Sequence, residues 1–358
     1  MLDVATRTEL AVTGVRVAAP VRRTGGAGPS DDGHVLLDGV AAALPVAADS
    51  PWVIEEGRLV REHDEGGAES EINGVVVGTV DRPKFYDLQT ADGVPYHQLA
   101  RLHGADVLAT TVVQTCIRYE ASERCRFCAI EESLAAGATT RVKTPAQLAE
   151  VAEAAHRLDG VRQVVLTTGT SAAADRGARY LARCTAAIHA AVPSLGIQVQ
   201  CEPTDDLESF TLLRDAGATA IGIHVESLDD DVRRKWMPGK STVSLDEYWR
   251  SWNEAVRVFG HNRVSTYLLV GLGEDPDELV AGAKTLIDAG VYPFVVPFRP
   301  LAGTLAMSDG ATAPSPELLR NVTERVAEHL DSARMVGAEQ GAGCAACGAC
   351  SALPAAGG

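Results

Sequence analysis

Six of the eight cysteines fall into two groups of three, and the first group follows an apolar, β-branched run. Cys116 ends that run, and after eight intervening residues come Cys125 and Cys128, with Phe127 directly before the last cysteine. Three thiolates at the end of a strand can bind three irons of a [4Fe–4S] cube and leave the fourth iron open to a chelating ligand. Zinc usually takes four ligands, often as two C-x2-C pairs, and this loop has one. The residues leave three alternatives: an open iron–sulfur cluster, a zinc site or unliganded thiols.

The second group, Cys344, Cys347 and Cys350, lies in the Gly/Ala-rich C-terminal tail. Such compact spacing is frequent in iron–sulfur ligation, and three thiolates leave one position for another ligand. Ser351, Cys201, a substrate or a thiolate of another subunit could fill that position. Zinc, or a disordered tail with incidental thiols, is the alternative to a second cluster. The Gly-rich terminal position also predicts a mobile and accessible site.

Composition narrows the class of protein. The 358 residues carry a net charge of −16, and such an acidic chain repels phosphate backbones, so we expect no nucleic-acid partner. No apolar run approaches the roughly 20 residues that span a membrane, and no signal peptide is evident at the N-terminus. We therefore expect a cytoplasmic protein without a membrane partner. Disulfides are rare in that compartment, which favours metal ligation for the grouped cysteines.

The elements that must position these cysteines divide the chain into three predicted parts. Residues 1–100 form a small β-rich domain, whose pieces include residues 9–18 and whose turns include residues 25–33. From residue 106 strands and helices alternate, which predicts an α/β fold with a parallel sheet, a partial (βα)6 TIM-like barrel over residues 101–335. Residues 336–358 form the cysteine-containing tail.

The predicted barrel strands and helices have these bounds. The strands are Val107–Thr115, Val161–Leu166, Ile197–Gln200, Ala220–Val225, Val264–Val270 and Tyr292–Val296. The helices are a segment that follows a Thr144 N-cap, then Ala178–Ala191, Leu207–Ala216, Leu245–Phe259 and Pro276–Ala289. Polar and glycine residues gather just after the strands, at the rim where βα barrels place their chemistry, and the first cysteine group follows the first strand.

This arrangement resembles the radical S-adenosylmethionine (SAM) superfamily. Its cluster loop is usually C-x3-C-x2-C with an aromatic residue before the last cysteine, so Cys125 to Cys128 matches while the first gap is longer here. The resemblance implies an enzyme whose [4Fe–4S] cluster binds SAM and cleaves it reductively to a 5′-deoxyadenosyl radical. That radical would abstract hydrogen from a small-molecule substrate, with flavodoxin or ferredoxin as a reducing electron donor.

The resemblance also implies which residues contact SAM. Residues 167–170 stand where relatives have a Gly-Gly-Glu turn, and they keep only Gly169. Residues 298–304 are similar to a segment of the biotin-synthase-like branch, in which Arg299 would bind the SAM carboxylate or an acidic substrate, or else form a salt bridge. The implied contacts are Phe127, Thr168, Gly169, Glu202, Glu226, Gly271, Gly273 and Arg299.

A finer resemblance concerns residues 90–134, which look like the radical SAM proteins encoded in bacterial nitrilase gene clusters. Membership of that group would explain the long first cysteine gap. Similarity to biotin and lipoyl synthases raises a second hypothesis, a sulfur-inserting enzyme whose tail cluster donates sulfur. A hypothesis of another class is a non-catalytic, zinc-stabilised scaffold or binding protein.

Overall fold

The computed structural model describes residues 2–17, 35–62, 70–79 and 81–357, so the predicted 25–33 turn lies outside the described residues. The N-terminal part contains a mixed sheet with the strand order β1-β4-β5-β6-β2-β3. Its strands are β1 (Arg16–Val17), β2 (Val35–Leu37), β3 (Val40–Ala42), β4 (Trp52–Glu55), β5 (Arg58–Arg61) and β6 (Ser70–Thr79). The predicted β-rich extension is therefore present.

One predicted N-terminal β piece is wrong in its first half, because residues 9–13 belong to helix α1 (Val4–Thr13), while Arg16–Val17 of the same piece forms β1. The Asp3 side chain caps the helix by accepting a hydrogen bond from the Thr6 amide at 2.8 Å. Leu10 then packs into the core of the N-terminal sheet and Ala11 into the core of the barrel. Burial on two sides outweighs the local β propensity of the valines and threonines.

The second sheet confirms the predicted partial barrel. Its order is β13-β12-β11-β10-β9-β8-β7, with β8 to β13 parallel to one another and β7 antiparallel at the edge. The strands are β7 (Arg101–His103), β8 (Val107–Thr111), β9 (Gln163–Thr167), β10 (Gly196–Gln200), β11 (Ala220–Gly222), β12 (Val264–Val270) and β13 (Val291–Pro297). The first and fourth predicted strands are too long at their carboxyl ends.

Helices precede, connect and follow these strands. They are α2 (Tyr96–Leu99), α3 (Glu132–Ala135), α4 (Pro145–Asp159), α5 (Ala178–Ala191), α6 (Glu208–Asp215), α7 (Asp230–Trp236), α8 (Leu245–Phe259), α9 (Pro276–Asp288), α10 (Leu305–Ser308), α11 (Pro316–Ala333), α12 (Cys344–Cys347) and α13 (Leu353–Ala356). Single 3-10 turns occupy Lys84–Asp87, Lys240–Thr242 and Gly337–Gln340. None of the helices in the described part of the chain has the length and apolarity needed to cross a membrane.

The domain boundary predicted at residue 100 stays a prediction. The packing of the residues just before it indicates which core they belong to. Phe85, Tyr86, Tyr96 and Leu99 are buried in the same core as the barrel strands and helices. The N-terminal sheet has a separate small core around Trp52. In terms of packing, residues 85–99 therefore belong with the barrel.

Candidate functional site

The cluster loop, residues 116–128, follows β8 at the carboxyl end of the sheet. Backbone hydrogen bonds tie its two ends to different parts of the rim. The Ile117 amide donates to the Thr170 carbonyl at 3.0 Å, and the Arg126 amide donates to the Trp236 carbonyl at 2.8 Å. The long first gap is therefore spanned by a loop anchored both after β9 and at the end of α7.

The second half of the cluster loop lies against a small apolar cluster. Cys125 and Phe127 pack against its members, which are Val232, Trp236, Met237, Leu272, Phe298 and Ala306. Burial raises the pKa of Cys128 to about 11, and a charge on neighbouring Cys116 adds to that effect. Burial also raises the pKa of Cys125 well above its ordinary value. Thiols in such surroundings are unfavourable as free anions, whereas a bound metal ion would deprotonate them.

Gly169 lies against the strand extension that leads into the cluster loop. Its amide donates to the Val113 carbonyl at 2.9 Å, and the Thr168 hydroxyl donates to the Gly169 carbonyl at 3.0 Å. A Cβ atom on Gly169 would lie 2.1 Å from the carbonyl oxygen of Thr115, directly before Cys116. This close approach requires glycine, because the obstacle is backbone and cannot turn aside.

We expect Gly169→Ala to displace the start of the cluster loop and to lower the iron bound there. The physical reason is the 2.1 Å approach to the Thr115 carbonyl. Iron per chain after anaerobic reconstitution measures the effect. Gly78→Ala is the matched control, since a Cβ there meets Leu36 at an ordinary 3.4 Å. Equal iron content in the two variants would show that the close approach does not matter.

The two carboxylates predicted at the rim are each paired with a buried cation. Glu202 forms an ion pair with Arg118, and the two side chains are 13% and 8% exposed. Glu226 forms an ion pair with Lys240 at 2.6 Å, with side chains 12% and 11% exposed. Burial opposes the charge of Lys240, but the Glu226 carboxylate outweighs it and raises the ammonium pKa above its ordinary value. Lys240 also lies near Cys125, where its positive charge offsets part of the rise in thiol pKa that burial causes.

We expect Lys240→Met to destabilise the fold by about 3–5 kcal/mol, the usual cost of leaving one partner of a buried ion pair unpaired. Urea denaturation measures the free energy of unfolding. The double variant Glu226→Gln, Lys240→Met should recover much of the loss, because neither charge then remains buried. A loss below about 1 kcal/mol in the single variant would place the pair in the class of surface ion pairs instead.

The glycines after β12 shape a groove at the same rim. Gly271 has φ +105°, and a Cβ there would lie 2.9 Å from Pro314. Glu274 fixes the turn, since its carboxylate accepts hydrogen bonds from the amides of Gly271 at 2.9 Å and Leu272 at 3.0 Å. Gly273 has φ +108°, and no heavy atom lies within 4 Å of its would-be Cβ. A groove of about 250 Å³ lies beside these residues.

The tail is packed rather than mobile and accessible, so that prediction is wrong. It crosses the amino ends of β10 and β12, where a Cβ on Gly196 would lie 2.5 Å from the Gly341 carbonyl oxygen. The Ala43 amide of the N-terminal sheet donates to the Ala349 carbonyl at 3.0 Å. Leu353 is fully buried. The N-terminal sheet and the barrel therefore hold the tail between them.

Cys344 receives hydrogen bonds from two barrel side chains. Gln200 Nε2 lies 3.4 Å from Cys344 Sγ, and the Tyr267 hydroxyl also hydrogen-bonds this thiol. Gln198 Oε1 accepts from the Gln200 amide group at 2.9 Å and from the Cys344 amide at 3.3 Å. Donors aimed at sulfur stabilise a thiolate, and such bonds are known to tune iron–sulfur clusters.

Two arginines lie beside the other tail thiols. Burial raises the pKa of Cys350 to about 11, against the opposing influence of Arg299 and Arg7. Arg7, on α1, also contacts the Gly348 carbonyl at 3.4 Å. Arg299 donates from Nε to the Ala11 carbonyl at 3.0 Å. The SAM contact predicted for Arg299 is therefore not favoured by its position, which is against the tail.

Ser351 and Cys201 are the two side chains of this chain that were predicted as a fourth ligand of the tail site. The Ser351 hydroxyl donates to the Val295 carbonyl at 2.5 Å and accepts from the Leu353 amide at 3.2 Å, so backbone groups occupy it. The surroundings that raise the pKa of Cys201 to about 12 are burial, Glu202 and Asp175, with no tail thiol among them. Neither side chain is poised as a fourth ligand.

The sulfur donors of the two cysteine groups suit iron. The thiols of each group are neighbours, but they are not closed around a metal position. Among the described residues, no three Cys, His, Asp or Glu side chains converge closely enough to enclose a metal ion. Within each group, however, the thiols influence one another's pKa, so they are neighbours. Three soft thiolate donors are the set that iron–sulfur clusters use.

A cavity of about 400 Å³ in the barrel extends from the residues that follow the cluster loop to two of the tail cysteines. Its wall includes Ala129 and Ile130, which follow Cys128 directly, and it reaches Cys344 and Cys350 at the other end. Inward-facing strand residues form the sides, including Thr111, Val165, Thr167, Gln200 and Tyr267. A molecule in this cavity would lie between the cluster loop and the tail thiols.

Comparison with known proteins finds a family model that matches part of the chain. The family model of the Radical SAM superfamily matches residues 121–286, which include Cys125, Cys128 and the strands from β9 to β12. The match covers a little under half of the chain and supports the predicted superfamily.

Two curated relatives are distant. Bacteriochlorophyllide c C-7(1)-hydroxylase of Chlorobaculum limnaeum is 29% identical over 136 residues, 37% of this chain and 33% of the relative. Lipoyl synthase of Chlamydia felis (strain Fe/C-56) is 28% identical over 175 residues, 48% of this chain and 52% of the relative. The alignments thus span a third and about half of the relatives' lengths. Methylornithine synthase, a solved structure, has a TM-score of 0.48 and 15% identity, with 69% of this chain and 71% of that chain covered.

Proposed function

We propose that this protein is a radical SAM enzyme with a [4Fe–4S] cluster at Cys116, Cys125 and Cys128 and a second iron–sulfur cluster at the tail cysteines. The cavity between the two groups is the observation that supports this most, because a small-molecule substrate there would lie within reach of both. When bound, the cluster held by these cysteines would pass one electron, received from a donor such as flavodoxin or ferredoxin, to SAM, and this would supply methionine and a 5′-deoxyadenosyl radical able to take hydrogen from the substrate.

The chain's own residues would position SAM at the rim. Phe127 would pack beside the cluster, and the backbone at Thr168 and Gly169 would meet the amino group. Glu202 and Glu226 would accept from the ribose hydroxyls or the amino group, while Arg118 and Lys240 hold the carboxylates in place. The groove beside Gly271 and Gly273 would admit the flat adenine at Gly273, where no heavy atom lies within 4 Å of the would-be Cβ, whereas Pro314 lies against Gly271.

At the tail we propose that Arg7 and Arg299 balance the negative charge of a thiolate-bound cluster, and that Tyr267 and Gln200 donate to Cys344. Positive charges and hydrogen-bond donors beside sulfur stabilise a thiolate, which supports an anionic cluster at the tail. The resemblance of residues 90–134 to the nitrilase-cluster proteins stays a hypothesis, which the relatives above do not support.

Anaerobic reconstitution with iron and sulfide tests the proposal. Two cubes predict about eight irons per chain, four for each cube. On reduction in the presence of SAM, mass spectrometry should detect 5′-deoxyadenosine. Colourless protein with stoichiometric zinc and no 5′-deoxyadenosine would favour the zinc-stabilised scaffold instead.

A further inference from the structure

We infer that Arg7 of helix α1 is a positioning residue of the tail site, and that the docking of α1 and the binding of an anionic metal cluster by the tail thiols stabilise each other. This inference rests on the proposed function, because it assumes the proposed tail cluster. It gives the N-terminal part of the chain a role in that site.

Arg7 reaches the loop that carries two of the three tail thiols. Its Nη2 group donates to the Gly348 carbonyl at 3.4 Å and to the Ser351 carbonyl at 3.3 Å. Gly348 directly follows Cys347, and Ser351 directly follows Cys350. One guanidinium therefore holds the backbone next to both thiols and fixes the spacing between them.

The N-terminal sheet covers the same loop. The Ala43 amide, at the end of β3, donates to the Ala349 carbonyl at 3.0 Å. A Cβ on Gly104 would lie 3.2 Å from the Cβ of Ala41 and 3.7 Å from Cys347 Sγ, so this thiol lies close to β3. The tail loop is thus enclosed by α1 and β3 as well as by the barrel.

The charge of Arg7 is buried without a carboxylate partner in the described part of the chain. The residue is 7% exposed, and its third acceptor is the Ala41 carbonyl at 3.3 Å. These acceptors are neutral, and the distances are long for hydrogen bonds. Burial lowers the pKa of Arg7, and the groups whose charge raises it are Cys350 and Cys347. A buried cation is unfavourable unless an anion compensates it.

A cluster bound at the tail would supply that anion. Free thiols are mostly neutral near neutral pH, whereas metal binding requires thiolates. Arg7 therefore gains a counter-charge only when the tail binds a metal cluster. Because coupling between two binding equilibria is reciprocal, the cluster should stabilise the docking of α1 by as much as docked α1 stabilises the cluster.

The reduction potential of the tail cluster tests the role of the charge. It is measured by redox titration with electron paramagnetic resonance on the reconstituted full chain carrying Cys125→Ala, so that the tail holds the remaining iron. We expect Arg7→Met to shift the potential to more negative values, because reduction adds negative charge that Arg7 would stabilise. Arg7→Lys keeps the positive charge and should restore most of the shift.

Arg61→Met is the matched control, since it removes another contact of α1, the ion pair with Glu9 at 3.0 Å, which lies away from the tail. This variant should leave the potential unchanged. Loss of tail iron in Arg7→Met, with retention in Arg7→Lys and Arg61→Met, would also support the inference. An unshifted potential in Arg7→Met, or an equal shift in Arg61→Met, would overturn it.

Hydrogen exchange of the α1 amides tests the coupling without any change to Arg7. We expect exchange to slow by about tenfold or more when the wild-type chain is reconstituted with iron and sulfide, and to stay fast in the triple variant Cys344→Ala, Cys347→Ala, Cys350→Ala. Tail iron without slower exchange of α1 would overturn this inference alone. Absence of tail iron from the wild-type chain would overturn the proposed tail cluster together with it.

Discussion

Replacing Cys125 with alanine is expected to abolish 5′-deoxyadenosine formation and to remove about four irons per chain, one cube. Cys125 is packed beside Phe127 in the small apolar cluster under the rim, where water cannot readily replace a lost thiolate. Two remaining thiols of the loop would then have to hold the whole cluster.

Iron analysis and mass spectrometry of the reduced enzyme with SAM make this measurement. Cys184→Ala is the control, because Cys184 is a buried thiol of α5 that belongs to neither group. That variant should keep the iron and the activity, at a modest loss of stability from the smaller side chain. Full activity of Cys125→Ala would mean that the cluster loop does not bind the catalytic iron.

The triple variant Cys344→Ala, Cys347→Ala, Cys350→Ala is expected to lose about four irons while it still cleaves SAM slowly without substrate. SAM cleavage should continue because the two cysteine groups lie apart. The tail crosses the amino ends of the strands, whereas the cluster loop follows their carboxyl ends. When a substrate has been identified, the triple variant should form no product from it. Full iron content would show that the tail binds no cluster.

The amount of tail iron that remains after turnover distinguishes two roles that a tail cluster could have. A sulfur donor is dismantled in one turnover, whereas a cluster that binds substrate or transfers electrons survives. The packed tail, with the Ser351 hydroxyl bound to the Val295 carbonyl, favours a cluster that survives. Iron content measured before and after single turnover decides between them, and loss of tail iron with sulfur in the product would support sulfur insertion.

The barrel was predictable because local signals and global packing agree. The predicted bounds of β12 and α8 match the structure, and α8 begins at a capping box formed by Ser244 and Glu247. Thr144 caps α4 as predicted, together with Gln147. In contrast, α1 depends on contacts with two cores that are distant in sequence, which no local pattern reveals.

The cysteine spacings indicated both groups, but the residues around them were missed. Lys240 meets Glu226 across the segment that contains α7, and no sequence periodicity predicts that pair. A signal did exist for Gln200, because Gln198 and Gln200 lie two apart in an otherwise apolar strand and therefore share a face. Arg7 could not be linked to the tail from sequence, since 341 positions separate it from Gly348.

Electron paramagnetic resonance of the reduced protein, with and without SAM, tests the central claim most directly. The triple tail variant is the best sample, because the cluster loop would then hold the remaining iron. An open iron that binds SAM predicts a reduced-cluster spectrum that changes when SAM is added, accompanied by 5′-deoxyadenosine. A spectrum that SAM leaves unchanged, with no 5′-deoxyadenosine formed, would contradict the account.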